Sequence, residues 1–157
     1  MDQKKLEAED LFKLAFENHK KNNLQDAENL YRDAIKQKHD HINSLFYLGG
    51  LLTQKRNFNK AKELFEKVIK INPKYPSVND NLCVVYRMLA NISSKNGNLL
   101  EAKKLFEKAL TINPNNQEMN HGYGVLLLKL NQHIKGLGYI RKGTGFIRFS
   151  SESYKII

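Results

Sequence analysis

Apolar residues recur along this chain in steps of three and four. Leu11, Leu14 and Ala15 form one such stretch. Leu45, Leu48, Gly49 and Leu52 form a second, Leu82, Cys83 and Tyr86 a third, and Tyr123, Gly124 and Leu127 a fourth. That spacing places each set on one face of an α-helix. Each stretch is followed by a second helical phrase. The clearest runs from Ala61 to Pro73 and returns from Ala102 to Pro114, with a weaker copy at Ala27 to Ile35 and a degenerate one at Gly136 to Gly143. Between first and second helices stand Lys21-Asn22-Asn23, Arg56-Asn57, Asn96-Gly97-Asn98 and Asn131-Gln132. Asn and Gly tolerate the left-handed backbone that ends a helix and turns the chain. Pro73 and Pro114 close two of the second helices, since proline cannot continue a helix and restricts the residue before it. The pattern predicts four helical hairpins over residues 7–148, in units of about 8–41, 42–75, 76–116 and 117–148, with 149–157 left as a tail or the start of a linker.

The second phrases begin at Ala27, Ala61, Ala102 and Gly136, so the period is 34, then 41, then 34 residues. The longer step adds seven residues, close to two helical turns. It predicts that both helices of the third unit lengthen, with Met88, Leu89, Ile92, Leu99 and Leu100 near their joint tip, packed on each other or open to a partner. Small residues pair across each hairpin: Ala15 with Ala27, Gly49 with Ala61, Cys83 with Ala102, and Gly124 with Gly136. A bulky side chain at such a crossing would hold the backbones apart, at a cost of about 1–3 kcal/mol. Tyr31, Phe65, Phe106 and Ile140 are then expected to fill the seams.

This combination resembles the tetratricopeptide repeat family, over about Glu7 to Arg148. The match departs where His39 replaces the usual proline, where unit four has glycines for alanines, and where Leu11, Leu45, Asn79 and Asn120 stand in place of a tryptophan. The resemblance implies an all-α, right-handed superhelical solenoid whose first helices line a concave groove. It places Phe12, Phe16 and His19 of unit one in that groove. From unit two come Asn43, Phe46 and Gln54, from unit three Asp80, Val84 and Arg87, and from unit four His121 and Val125. The same positions also hold Glu9 and Lys20 in unit one, Gly50 and Thr53 in unit two, Ser77 and Met88 in unit three, and Glu118, Leu128 and Lys129 in unit four. Aromatic anchors beside polar groups suit peptide capture, because burial gives affinity and hydrogen bonds fix register, although Phe12 and Phe16 could equally pack on unit two. The lysine–asparagine clamp by which some members hold a terminal carboxylate is absent, because its positions hold Phe12, Phe16, Tyr47, Ser77 and Asn81. One rung at Asn81 does not make an asparagine ladder.

The chain has 157 residues, 41% of them hydrophobic, and a formal charge of +10. That balance is globular. Lysine supplies 21 of the 26 cations, and arginine is preferred where phosphate is gripped in two places. A solvated lysine-rich face is therefore expected, and nucleic acid is disfavoured as a partner. Cys83 excludes an internal disulfide and reads as a buried small residue. His39-Asp40-His41 offers too few converging ligands for zinc. Gly136, Gly138, Gly143 and Gly145 lack the spacing and lysine–serine end of a phosphate loop. No catalytic residue, cofactor or metal is expected. The polar Met1 to Glu9 segment lacks the form of a secretory signal, and no run is apolar enough to span a bilayer, which suggests a cytoplasmic protein; the Asn91-Ile92-Ser93 sequon is then accidental. After unit four, Phe146, Ile147, Phe149, Tyr154, Ile156 and Ile157 leave the last seam without a polar helical cap. The expected cover is the folded-back tail, a homodimer through that end, or a further domain. Gly143 to Phe149 is similar to the end of repeat modules that precede catalytic domains, including 2-oxoglutarate-dependent oxygenases. The leading expectation is a non-enzymatic adaptor binding a peptide segment of a partner protein. The alternatives are a recruiting module of a larger enzyme and a basic surface for nucleic acid.

Overall fold

A computed structural model of the chain describes residues 6–145, 147–149 and 154–156. Among these described residues eight helices follow one another: α1 (Ala8–Lys20), α2 (Leu24–Gln37), α3 (Ile42–Gln54), α4 (Phe58–Ile71), α5 (Val78–Lys95), α6 (Leu99–Ile112), α7 (Gln117–Lys129) and α8 (His133–Thr144). A short antiparallel hairpin then pairs β1 (Ile147–Phe149) with β2 (Tyr154–Ile156), Ile147 opposite Ile156. The sequence reading treated this stretch as a tail, and Phe146 and Ile157 lie outside the described residues. Three-residue strands are too short to announce themselves by alternation.

The turns inside the hairpins share one device. The left-handed residue is Asn22 (φ 63°), Arg56 (φ 58°), Gly97 (φ 81°) and Asn131 (φ 59°) in the four units. Arginine pays for this conformation where its counterparts do not. Arg56→Gly is therefore expected to raise the unfolding free energy by about 0.5–1 kcal/mol, read by urea denaturation.

The chain forms two compact units, Met1–Asn81 and Leu82–Ile157. The first has a core of Leu11, Ala15, Ala27, Tyr31, Leu45, Leu48, Ala61, Phe65 and Val68. A β-carbon added at Gly49 would lie 2.8 Å from the Phe65 ring, so the missing side chain is what seats that ring. The Glu28 carboxylate ties α2 to the end of α3. Lys55 Nζ donates to its Oε2 at 2.6 Å, and Arg32 Nη2 to its Oε1 at 2.8 Å. Lys55, above all, holds the Glu28 carboxyl below its usual range, with burial opposing and Arg32 assisting. A lowered native value stabilises the fold above the ordinary glutamate range, and that stability is lost as pH falls through the lowered value. Lys55→Met should therefore destabilise the chain at neutral pH and flatten its loss of stability below about pH 5, measured by thermal melts across pH.

The second unit has a core of Leu82, Cys83, Val85, Tyr86, Ala90, Ala102, Phe106, Ala109, Met119, Tyr123, Leu127 and Ile140. Here the sequence expectation needs correction. The helix α5 has 18 residues against 13 in α1, α3 and α7, but α6 has 14, the same as α2 and α4. The second helix of the third hairpin does not begin early. The insertion lies ahead of it, in the front of α5 and in the connection 72–77. Leu99 opens α6 as Leu24 opens α2 and Phe58 opens α4. No paired tip forms: Met88 and Leu89 are half-buried, while Ile92 and Leu100 are exposed.

The small-residue pairing shifts accordingly. Cys83 Sγ donates to the Ala109 carbonyl at 3.6 Å rather than meeting Ala102. In an antiparallel pair, seven residues earlier on one helix face seven residues later on the other. The partner of Ala102 is thus Ala90, which is fully buried. In the last hairpin the backbones themselves come close. A β-carbon at Gly124 would lie 2.7 Å from the Gly136 carbonyl, and one at Gly143 would lie 2.5 Å from both Gln117 O and His121 N.

Candidate functional site

In the first unit, α1 and α3 present a chain of half-buried rings. Phe12 and Phe16 stack at 6.1 Å, and Tyr47 meets Phe16 at 5.0 Å and Phe12 at 5.6 Å. Phe46 meets Tyr47 at 5.4 Å, Tyr75 at 4.9 Å and Phe65 at 5.8 Å. Phe12, Phe16 and Phe46 are each half-buried: every ring packs on its neighbours and keeps some surface. His19 Nδ1 lies 3.4 Å from the buried Tyr31 hydroxyl, and burial pushes the Tyr31 phenol upward. Asn43 Oδ1 accepts from the Tyr75 hydroxyl at 2.8 Å, so that side chain already holds α3 to the residues after α4. Gln54 is exposed at the end of α3.

Within His39-Asp40-His41, His41 has a structural role. His41 is buried at the start of α3, and its Nδ1 accepts from the Ser44 amide at 3.3 Å. That leaves the proton on Nε2, which donates to Glu9 Oε2 at 3.0 Å. His39 and Asp40 are exposed. Among the described residues no three His, Cys, Asp or Glu side chains are grouped to hold a metal. His41→Ala removes a helix cap and should cost about 1 kcal/mol, seen in denaturant unfolding.

The second unit contains an open groove of about 600 Å³. From α5 come Arg87, Asn91, Ser94 and Lys95; from α7 come Gln117, Glu118, His121, Gly122, Val125, Leu126 and Lys129. Phe106 of α6 and Gly143 and Thr144 of α8 complete it. Gly122 gives the floor its depth, because a β-carbon there would lie 2.9 Å from the Phe106 ring. Arg87 Nη2 stands 3.1 Å from Glu118 Oε2. Two buried nitrogens on this lining, Arg87 Nε and His121 Nδ1, have no hydrogen-bond partner among the described residues. Buried polar groups are normally paired. Of the expected groove residues, this groove unites Arg87, Glu118, His121, Val125 and Lys129. Val84 is exposed one turn before Arg87, and Asp80 is exposed in the first turn of α5.

The family model of the tetratricopeptide repeat matches residues 42–75 and 83–116. The chain carries tetratricopeptide repeats. Solved structures with this fold are similar along most of its length. MamA AMB-1 superposes with a TM-score of 0.68 at 20% identity, over 90% of this chain and 74% of that one. PilF of Pseudomonas aeruginosa gives 0.60 at 22% identity, over 89% and 62%. TTC0263, a thermophilic tetratricopeptide repeat protein of Thermus thermophilus, gives 0.51 at 17% identity, over 87% and 72%. No curated protein matches the chain in sequence. The fold is an all-α helical repeat, and tetratricopeptide repeats are protein–protein interaction modules. Among the described residues no helix is long and apolar enough to cross a membrane.

The two matched repeats fix the register of the third unit. Residue 42 corresponds to 83, so Asn43, Phe46, Gly50, Thr53 and Gln54 correspond to Val84, Arg87, Asn91, Ser94 and Lys95. Ser77, Asp80 and Met88 fall outside that set. Four of its five members line the groove. Sequence reasoning missed Asn91, Ser94 and Lys95 because it matched Cys83, rather than Ala90, to Gly49. The offset of 41 between the turns at Arg56 and Gly97 carried the signal.

Proposed function

We propose that the chain is a non-enzymatic adaptor that captures an extended segment of a partner protein in the groove of its second unit. The observation that carries this reading is an open groove whose lining includes Arg87 and His121, each with a buried nitrogen, Nε and Nδ1, that has no hydrogen-bond partner among the described residues. An extended peptide supplies carbonyl and amide groups at regular intervals, which suits such orphaned groups. Apolar side chains of the segment would lie on the half-buried Val125, which Phe106 and Leu126 support from beneath. The half-buried rings of Phe12, Phe16 and Phe46, with His19, Asn43 and Gln54 beside them, form a second surface of the same mixed character. The test is crosslinking pull-down with the wild-type chain and with a His121→Ala, Val125→Asp double variant. Loss of the wild-type partner from the double variant, with its helical circular dichroism unchanged, is the expected result. Equal capture by both proteins would refute the groove.

A further inference from the structure

The groove of the second unit holds a guanidinium that is only half used. Glu118 sits at Arg87 Nη2, and the neighbouring Nε–H has no partner among the described residues. The Glu118 side chain is 68% exposed, against 26% for Arg87. It is therefore the carboxylate that can leave and the cation that is fixed. Lys95 and Lys129 share the lining, and Glu118 is its one carboxylate among the described residues. Lys129 Nζ reaches Ser94 Oγ at only 3.5 Å, which leaves the ammonium its other hydrogens.

We propose that the groove selects an acidic segment, and that Glu118 is an internal stand-in which an incoming Asp or Glu side chain displaces. This rests on the groove reading above and names the chemistry of its occupant. A carboxylate arriving side-on accepts from Nε and Nη2 of Arg87 together, a two-point contact that Glu118 does not make. Glu118 is the solvent-exposed partner and regains water on release, and the incoming carboxylate replaces it on Arg87, so the exchange costs little. Lys95 and Lys129 favour the same charge along the segment and make binding weaken with salt.

The test uses the full chain and three peptides of alternating residues. One alternates Glu and Val with both ends blocked, one replaces every Glu with Gln, and one is the Gln version with a free carboxy terminus. Binding is measured by calorimetry, and the Arg87 Nε–H resonance is followed by NMR. The blocked Glu peptide should bind and shift that resonance. Both Gln peptides should bind at least about tenfold more weakly. Arg87→Gln should remove the preference for Glu with circular dichroism unchanged. Glu118→Gln should tighten the Glu peptide by roughly two- to fivefold. Equal binding of Glu and blocked Gln peptides overturns the acidic assignment, and so does weaker Glu-peptide binding by Glu118→Gln. If that equal binding is abolished by Asn91→Trp, the groove itself still stands. Preference for the free terminus transfers the site to a terminal carboxylate and also overturns the proposal. Binding of no peptide overturns it as well, and partner capture unaffected by the His121→Ala, Val125→Asp variant would remove the groove reading separately.

Discussion

Gly124→Val is expected to lower the unfolding free energy by roughly 3 kcal/mol, among the larger effects of any single substitution in the chain. The added β-carbon would lie 2.6 Å from Ile140 Cγ1, 2.7 Å from the Gly136 carbonyl and 2.7 Å from the Ile140 amide. Two of those three neighbours are backbone and cannot turn aside, so α7 and α8 would have to separate along their contact. Gly138 is the control. It lies in the same α8, but a β-carbon there meets nothing within 4 Å. Gly138→Ala should instead stabilise by about 0.5–1 kcal/mol, because it reduces the freedom of the unfolded chain. Urea unfolding followed by circular dichroism reads both. Equal effects of the two substitutions would mean that the α7–α8 approach is looser than described.

The second large effect concerns binding. Asn91→Trp should weaken partner capture at least about tenfold, since a bulky ring would occupy the groove. Asn91 is exposed and on the lining, so the change leaves the core alone. Asp80→Trp should be silent. The two residues stand on the same helix, and the sequence alone favoured Asp80. A binding assay on the pair therefore tests the register of the third repeat as well as the groove. Loss of binding by Asp80→Trp with Asn91→Trp unaffected would reverse the assignment.

The helices and their turns were legible because amphipathic period and turn chemistry are local properties. Leu11 with Ala15, or Leu45 with Leu48 and Leu52, announce a helix without reference to anything distant. Asn22, Gly97 and Asn131 announce a left-handed turn for the same reason. The register of α5 was not legible in this way. Cys83 and Ala90 are both small, both buried and two turns apart, so they share a helical face. Either fits the pairing with Ala102 by size and face, and what separates them is the 41-residue offset of the turns, together with the antiparallel contact of Cys83 with Ala109. From that ambiguity came the misplaced extension of α6 and the omission of Asn91, Ser94 and Lys95. Phe106 is the seam residue its position in the repeat predicts, and the glycine opposite it at position 122 lets its buried ring pack beneath the groove. That Arg87 Nε has no partner among the described residues depends on side-chain reach across α5 and α7, and no periodicity reports that.

Site-directed photo-crosslinking tests the central claim most directly. A photoreactive phenylalanine analogue placed singly at Asn91 and Val125, on the groove lining, should crosslink a common partner protein. The same analogue at the exposed Lys104 of α6 and Gly138 of α8 should not. Crosslinks from Asn91 and Val125 alone are the result expected of a repeat module that captures its partner in this groove. Crosslinks from Lys104 and Gly138 with none from Asn91 or Val125 would contradict it.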